Sequence, residues 1–229
     1  MITRFKPEAK VLIRAVLFDM DGVVLDTEKL YARFWREAAI ALGYPMTHQQ
    51  ALGMRSLNGK AGQAQLESYF GPGVSRTAIR NKRIELMDAY IAEHGVEAMP
   101  GIRETLQWLR QQGIRTAIAT SSPPERAERY LRPLGLLDQF DEVCSVYGVP
   151  NGKPAPDVYL LAAARVGVPP ENCIAVEDSP AGILSACRAG CLPVFVPDQD
   201  EADCQTQTYL YARIEKLVDL IDLIKEEVS

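Results

Sequence analysis

From Ile102 onward the sequence switches repeatedly between two periodicities, and this alternation limits the fold more than any other feature. Helical spacing runs over Ile102–Gln112, Pro124–Leu134, Asp157–Val166 and Ala181–Ala189, and Gly113, Gly167 and Gly190 close three of the four. Among them lie short apolar or β-branched runs at Arg115–Ala119, Glu142–Val146, Ile174–Val176 and Pro193–Val196. A last helical pattern covers Ile214–Ile224. Strands of this buried type, alternating with helices, imply a parallel sheet covered on both faces. The expected core is therefore an α/β, Rossmann-like sheet.

Val16–Phe18 reads as the first strand and delivers Asp19, Asp21 and Gly22 into a loop. The next stretch is purely helical. Leu30, Phe34, Ala38 and Ala41 recur at four- and three-residue spacing until Gly43 and Pro45, and further helices are expected over Lys60–Phe70 and Ser75–Glu93. Nothing between Asp26 and Ala98 resembles a strand, and Met99-Pro100-Gly101 reads as a return linker. The expected organisation is a core formed by residues 1–27 and 97–229, with an all-helical insert at 28–96, which a chain of 229 residues can accommodate. The insert carries nine Lys/Arg and six Asp/Glu; the remainder carries sixteen and twenty-four. A basic insert and an acidic core would suit an anionic ligand, although a solvated helix face explains the same charges.

Composition removes other classes. Hydrophobic residues at 47% and charged residues at 24% exclude a disordered chain. A net charge of −5 argues against a nucleic-acid polymer or a membrane surface as partner. No apolar run approaches the ~18–20 residues of a spanning helix. Arg14 interrupts the first apolar stretch and no small-residue cleavage site comes after it, so no leader is expected. Five cysteines without a CxxC pair suit free thiols in a reducing cytoplasm. The expectation is a cytoplasmic protein, monomeric or a weak homo-oligomer.

In an open α/β sheet, ligands bind outside the carboxyl ends of the strands. Those ends carry Asp19-Met20-Asp21, Thr120-Ser121-Ser122, the loop residue Lys153, and Glu177-Asp178-Ser179. Four carboxylates facing one lysine are costly, since two like charges ~4 Å apart repel by roughly 4 kcal/mol at an effective dielectric near 20. A divalent cation is implied, and all-oxygen ligation favours Mg2+. Asp19, at a strand terminus, can be held rigidly as a nucleophile. Asp21 lies two residues on, on the same side of an extended chain, and can serve as general acid and base. Thr120 and Ser121, with backbone N–H groups near a helix start, suit phosphoryl oxygens, and Lys153 supplies fixed positive charge. Taken singly, each has a blander explanation: Asp before Gly is ordinary turn chemistry, Thr120 and Ser121 could cap a helix, and Lys153 could be a surface lysine.

Together, FDMDGVVLDTE, IATSS, GKPAPDVY and VEDSPAGILSACRAG resemble, in order, the four motifs of the haloacid dehalogenase-like hydrolases. The closest pattern is the helical-cap group that contains β-phosphoglucomutase and sugar-phosphate phosphatases. The resemblance implies that Asp19 is phosphorylated, Asp21 is acid/base, and Thr120 and Lys153 contact phosphate. It implies Mg2+ held by the Asp19 carboxylate, the Asp21 backbone carbonyl and Asp178, with Glu177 nearby, and a Lys153–Pro154 bond that is often cis. It also places Arg55, in the Leu52–Ser56 segment, as a candidate substrate contact.

The expected function is a Mg2+-dependent phosphatase of a small phosphorylated metabolite, a sugar or nucleoside phosphate, acting through an aspartyl-phosphate. A β-phosphoglucomutase-type phosphomutase is the alternative. Mutases of this group have a histidine in the first cap helix, where this chain has Tyr31. A non-enzymatic phospho-acceptor would combine similar groups but lacks a helical insert after its first strand.

Overall fold

The computed structural model describes residues 2–5, 11–54, 57, 59–197 and 202–228, the side chains of Glu28 and Val228 excepted. In chain order the elements are β1 (Ile2–Arg4), β2 (Ala15–Phe18), α1 (Glu28–Ala41), α2 (His48–Leu52), α3 (Gly59–Phe70), α4 (Arg76–His94), α5 (Ile102–Gln111) and β3 (Arg115–Thr120). They continue with α6 (Pro124–Leu131), β4 (Glu142–Ser145), α7 (Asp157–Val166), β5 (Cys173–Glu177), α8 (Pro180–Arg188), β6 (Leu192–Phe195), α9 (Cys204–Gln207), β7 (Ala212–Ile214) and α10 (Asp219–Val228). The chain divides into two compact units, one of Met1–Asp26 with Glu97–Ser229 and the other of Thr27–Val96. Thr27 goes with the helical unit, one residue earlier than the sequence boundary, because its carbonyl already accepts the first helical N–H groups, those of Leu30 and Tyr31.

The larger unit holds a seven-stranded sheet in the order β1-β7-β6-β5-β2-β3-β4. All pairs are parallel except β1–β7. From β2 the chain winds outward through β3 and β4, then returns to the other side of β2 for β5, β6 and β7. The winding therefore reverses between β2 and β5, which is where a doubly wound sheet opens a crevice at its carboxyl edge.

Alternation along the strands sorts the core. Ala15, Leu17, Ala117, Ala119, Cys173 and Ala175 lie on one buried face together with Val158, Tyr159, Ala162, Ala163 and Val166 of α7 and Ala186 of α8. Small side chains on the sheet let α7 pack closely against it. On β2, Phe18 meets Phe140 edge-on with ring centroids 5.9 Å apart.

Two features differ from the sequence expectation. The sheet gains the edge pair β1–β7, whose three-residue strands are too short to show a period of two. Ile214 accordingly ends β7, and the last helix starts only at Asp219. The edge pair is pinned by side chains: Arg4 bonds Glu227 and also Glu226 at 2.9 Å, while Glu227 accepts from the Tyr211 hydroxyl and, at 3.3 Å, from the Val11 N–H.

The helical unit has a core of Trp35, Ala38, Ala39, Met46, Ala51, Met54, Leu66, Val74 and Ile79. Its helix starts are locally encoded. Thr47 and Gln50 form a reciprocal capping box at α2, and Ser75 caps α4 through the Ala78 N–H. Arg83 is buried, with its guanidinium 4.4 Å from the centre of the Tyr31 ring and 5.2 Å from that of Trp35. All five cysteines are free. Among the described residues, no helix is long and apolar enough to cross a membrane.

Candidate active site at the switch point

β2 and β5 are paired in register, Phe18 beside Val176, so Asp19 and Glu177 emerge together at the carboxyl edge. The Asp19 N–H donates to the Val176 carbonyl at 2.9 Å, which prolongs the ladder and fixes the Asp19 backbone. Directly after it the chain turns sharply: the Val24 and Leu25 N–H groups donate to the Met20 carbonyl, and Gly22 takes a φ of 82° that a side chain would resist. The turn occupies residues 22–24, and Asp21 precedes it, bridged to Leu25. The Asp21 carboxylate accepts from the Ser122 hydroxyl at 3.1 Å.

Lys153 reaches in from the turn before α7. Its Nζ lies 2.5 Å from Asp19 Oδ1 and 2.6 Å from Glu177 Oε1. The Lys153–Pro154 peptide is cis, and α8 holds the turn by bonds from Ser185 Oγ to the Ala155 carbonyl (2.5 Å) and from Arg188 to the Pro154 carbonyl (3.0 Å). Burial alone would discharge the lysine, but Asp19 and Glu177 outweigh it and raise its pKa, so the ammonium stays charged.

Glu177 is fully buried, yet both of its oxygens have donors. Oε1 accepts from Lys153 and from the Tyr159 hydroxyl at 2.7 Å, and Oε2 from Ser179 at 3.1 Å. Ser179 is also the N-cap of α8, accepting from the Gly182 N–H at 3.2 Å. Burial, with Glu177 and Asp19 alongside, pushes the Tyr159 phenol well above its ordinary range, so it remains a donor.

Carboxylate oxygens of Asp19, Glu177 and Asp178 lie within 4.8 Å of one another. Burial raises the Asp19 pKa above the usual carboxylate range, Lys153 opposes this, and Glu177 and Asp21 add to it. Three carboxylates thus stand beside the single Lys153 ammonium. An all-oxygen set with surplus negative charge fits a hard divalent cation.

Most of the sequence candidates meet at this edge. Asp19, Lys153, Glu177 and Asp178 converge, and Asp21 is close enough to Asp19 to affect its ionisation. Thr120 is buried at the end of β3 with its hydroxyl accepting from the Ser122 N–H at 3.0 Å, and Ser121 is exposed. Neither caps α6, which starts after Pro123 without a side-chain bond. Arg55 lies outside the described residues. Ser122 and Ser179 stood among the strand-end residues without an assigned role, and no role was read for Tyr159, Gly182 or Ser145, which donates to the Ser122 carbonyl at 2.6 Å. The signal for Ser122 and Ser179 was their place at strand ends; Tyr159 and Gly182 fall inside the GKPAPDVY and VEDSPAGILSACRAG segments, but their helical positions alone suggest only packing.

A family model described as haloacid dehalogenase-like hydrolase matches residues 13–190. The chain belongs to that family. It is 34% identical over 183 residues to a phosphorylated carbohydrates phosphatase of Thermotoga maritima, covering 78% of this chain and 82% of the relative. It is 31% identical over 193 residues to a β-phosphoglucomutase of Bacillus subtilis, covering 80% of this chain and 83% of that one. Among solved structures, CbbY from Rhodobacter sphaeroides in complex with phosphate matches with a TM-score of 0.73 and 27% identity, covering 91% of this chain and 96% of that one. This haloacid dehalogenase-like hydrolase thus shares its fold and much of its length with enzymes of phosphorylated sugars.

Proposed function

We propose that this chain is a Mg2+-dependent phosphatase that hydrolyses a small phosphorylated metabolite, a sugar or nucleoside phosphate, through an aspartyl-phosphate on Asp19. The observation that carries the reading is the buried cluster at the switch point, in which one ammonium is shared by two carboxylates while a third stands within 4.8 Å. Asp19 and Asp178, with the Asp21 backbone carbonyl and Glu177 alongside, would hold Mg2+. When bound, the ion neutralises the carboxylates and lets an anionic phosphate approach them.

Asp19 attacks phosphorus and forms an acyl phosphate as the ester oxygen leaves. Asp21, oriented by Ser122, donates a proton to that oxygen and then accepts one from the water that attacks the acyl phosphate. Lys153 offsets charge on the transferring group beside Asp19. Thr120 and Ser121 receive phosphoryl oxygens at the end of β3. The helical unit at residues 28–96, with Arg55 as one contact, selects the rest of the substrate.

A phosphomutase would return the phosphoryl group to a second sugar hydroxyl. Tyr31, under the Arg83 guanidinium, stands where the mutase pattern has histidine, so hydrolysis ranks first. The test is a panel of sugar and nucleoside monophosphates assayed with Mg2+ and with chelator. Phosphate release that needs Mg2+ supports the proposal. Isomerisation of β-glucose 1-phosphate faster than phosphate release reverses the order, and an acyl phosphate that persists without turnover replaces both readings with a signalling role.

A further inference from the structure

Tyr159 lies in the first turn of α7, six residues after Lys153, and its ring is fully buried against the sheet. Packing alone would be met by phenylalanine, which fills the same space. The tyrosine instead puts a hydroxyl 2.7 Å from Oε1 of a buried carboxylate, on the same oxygen that Lys153 bonds at 2.6 Å. The Lys153 ammonium lies 3.5 Å from the phenol oxygen and 5.0 Å from the ring centre. Three groups therefore surround the ammonium: Asp19, Glu177 and Tyr159.

We infer that Tyr159 is a positioning residue for phosphoryl transfer, acting through Glu177 to keep the Lys153 ammonium directed at Asp19. The inference rests on the phosphatase reading and deepens it. An ammonium between two carboxylates moves toward the one with more uncompensated charge. By donating to Glu177 Oε1, the phenol takes up part of that charge and leaves Lys153 evenly shared. It also restrains Glu177 from the side opposite Ser179 Oγ, which holds Oε2. Without the hydroxyl, Glu177 draws the ammonium toward itself, and the charge is misplaced where the transferring group needs it. Fixed charge of this kind acts chiefly in the transition state, so the loss belongs in kcat.

The experiment compares wild type, Tyr159→Phe, Glu177→Gln and the double variant, recording kcat, KM and melting midpoint with Mg2+ present. Removing one oxygen from a buried ring leaves the packing intact. Tyr159→Phe should lower kcat about tenfold, the scale of lost outer-shell support, with KM within about threefold. In the Glu177→Gln background the same change should cost less than about twofold more, because the residue it acts through is already altered. A Tyr159→Phe kcat within about threefold of wild type, whatever the melting midpoint does, overturns the inference, as does a full additive loss in the double variant. A wild-type protein that releases no phosphate sinks the phosphatase reading and this inference with it. An active wild type with an undiminished Tyr159→Phe variant sinks this inference alone.

Discussion

The backbone of Gly182 lies directly against the carboxylate of Glu177: a β-carbon on the glycine would stand 1.9 Å from Glu177 Cδ. Inside a helix, Gly→Ala ordinarily stabilises by about 1 kcal/mol. Here the sign reverses, because Lys153, Tyr159 and Ser179 hold the carboxylate in place and it cannot step aside without losing them. Gly182→Ala should destabilise by ~1–3 kcal/mol, each kcal/mol lowering the melting midpoint by about 2–4 °C. It should also lower kcat at least tenfold or so through the displaced Glu177. Thermal melts and initial rates check both; a variant as stable and active as wild type would show that Glu177 moves freely.

Ser122 is bonded through three atoms, its N–H donating to the Thr120 hydroxyl. Its hydroxyl donates to Asp21, and its carbonyl accepts from Ser145. Ser122→Ala removes only the bond to Asp21. The expected result is a kcat roughly tenfold lower with KM little changed, and a stability loss of only about 1 kcal/mol. Steady-state rates beside a denaturant melt separate the two effects.

Mg2+ should stabilise the folded chain, since only the folded chain gathers Asp19, Glu177 and Asp178. At about 100 times its Kd, a ligand contributes ~2.7 kcal/mol, which corresponds to a melting midpoint about 5–10 °C higher. Thermal melts with MgCl2, with chelator and in Asp178→Asn should show the rise, its reversal and its loss. An unchanged midpoint at millimolar Mg2+ would count against the metal site.

Legibility followed a clear division. Asp19, Lys153, Glu177 and Asp178 could be found because strand ends in a doubly wound sheet converge on one edge, and short motifs mark those ends. Tyr159 could not, since an aromatic at helical spacing reads as core, and its ring is indeed core; only its hydroxyl reaches Glu177. Gly182 was hidden for a related reason, because its meaning lies in a neighbour five residues away on another element. The two-residue spacing of Asp19 and Asp21 could not show the Ser122 hydroxyl that bonds the Asp21 carboxylate, because that donor comes from the end of another strand. The β1–β7 edge escaped because its register depends on a partner about 210 residues away in the chain, not on local periodicity.

At that edge, burial works against ionisation of Glu227, but the Tyr211 hydroxyl, the Val11 N–H and Arg4 outweigh it and hold its pKa below the ordinary value. A lowered folded-state pKa means the ionised form supports the fold above the unfolded pKa, and the support is lost as pH falls through the folded value. Glu227→Gln should therefore melt several degrees below wild type at pH 7, consistent with about 1–3 kcal/mol for groups left unsatisfied. The gap should narrow as the buffer is taken into the acid range. Melts of both proteins from neutral to acid pH check this, and a gap that stays constant would contradict it.

The central claim is that Asp19 is the phosphoryl acceptor, and Asp19→Asn tests it most directly. The change is nearly isosteric and removes a charge from a buried, crowded set of carboxylates, so the melting midpoint without Mg2+ should hold or rise. Phosphate release from the best substrate of the panel, measured with Mg2+ at enzyme concentrations high enough to detect traces, should disappear. A folded Asp19→Asn protein that still turns over at a substantial fraction of the wild-type rate would contradict the account.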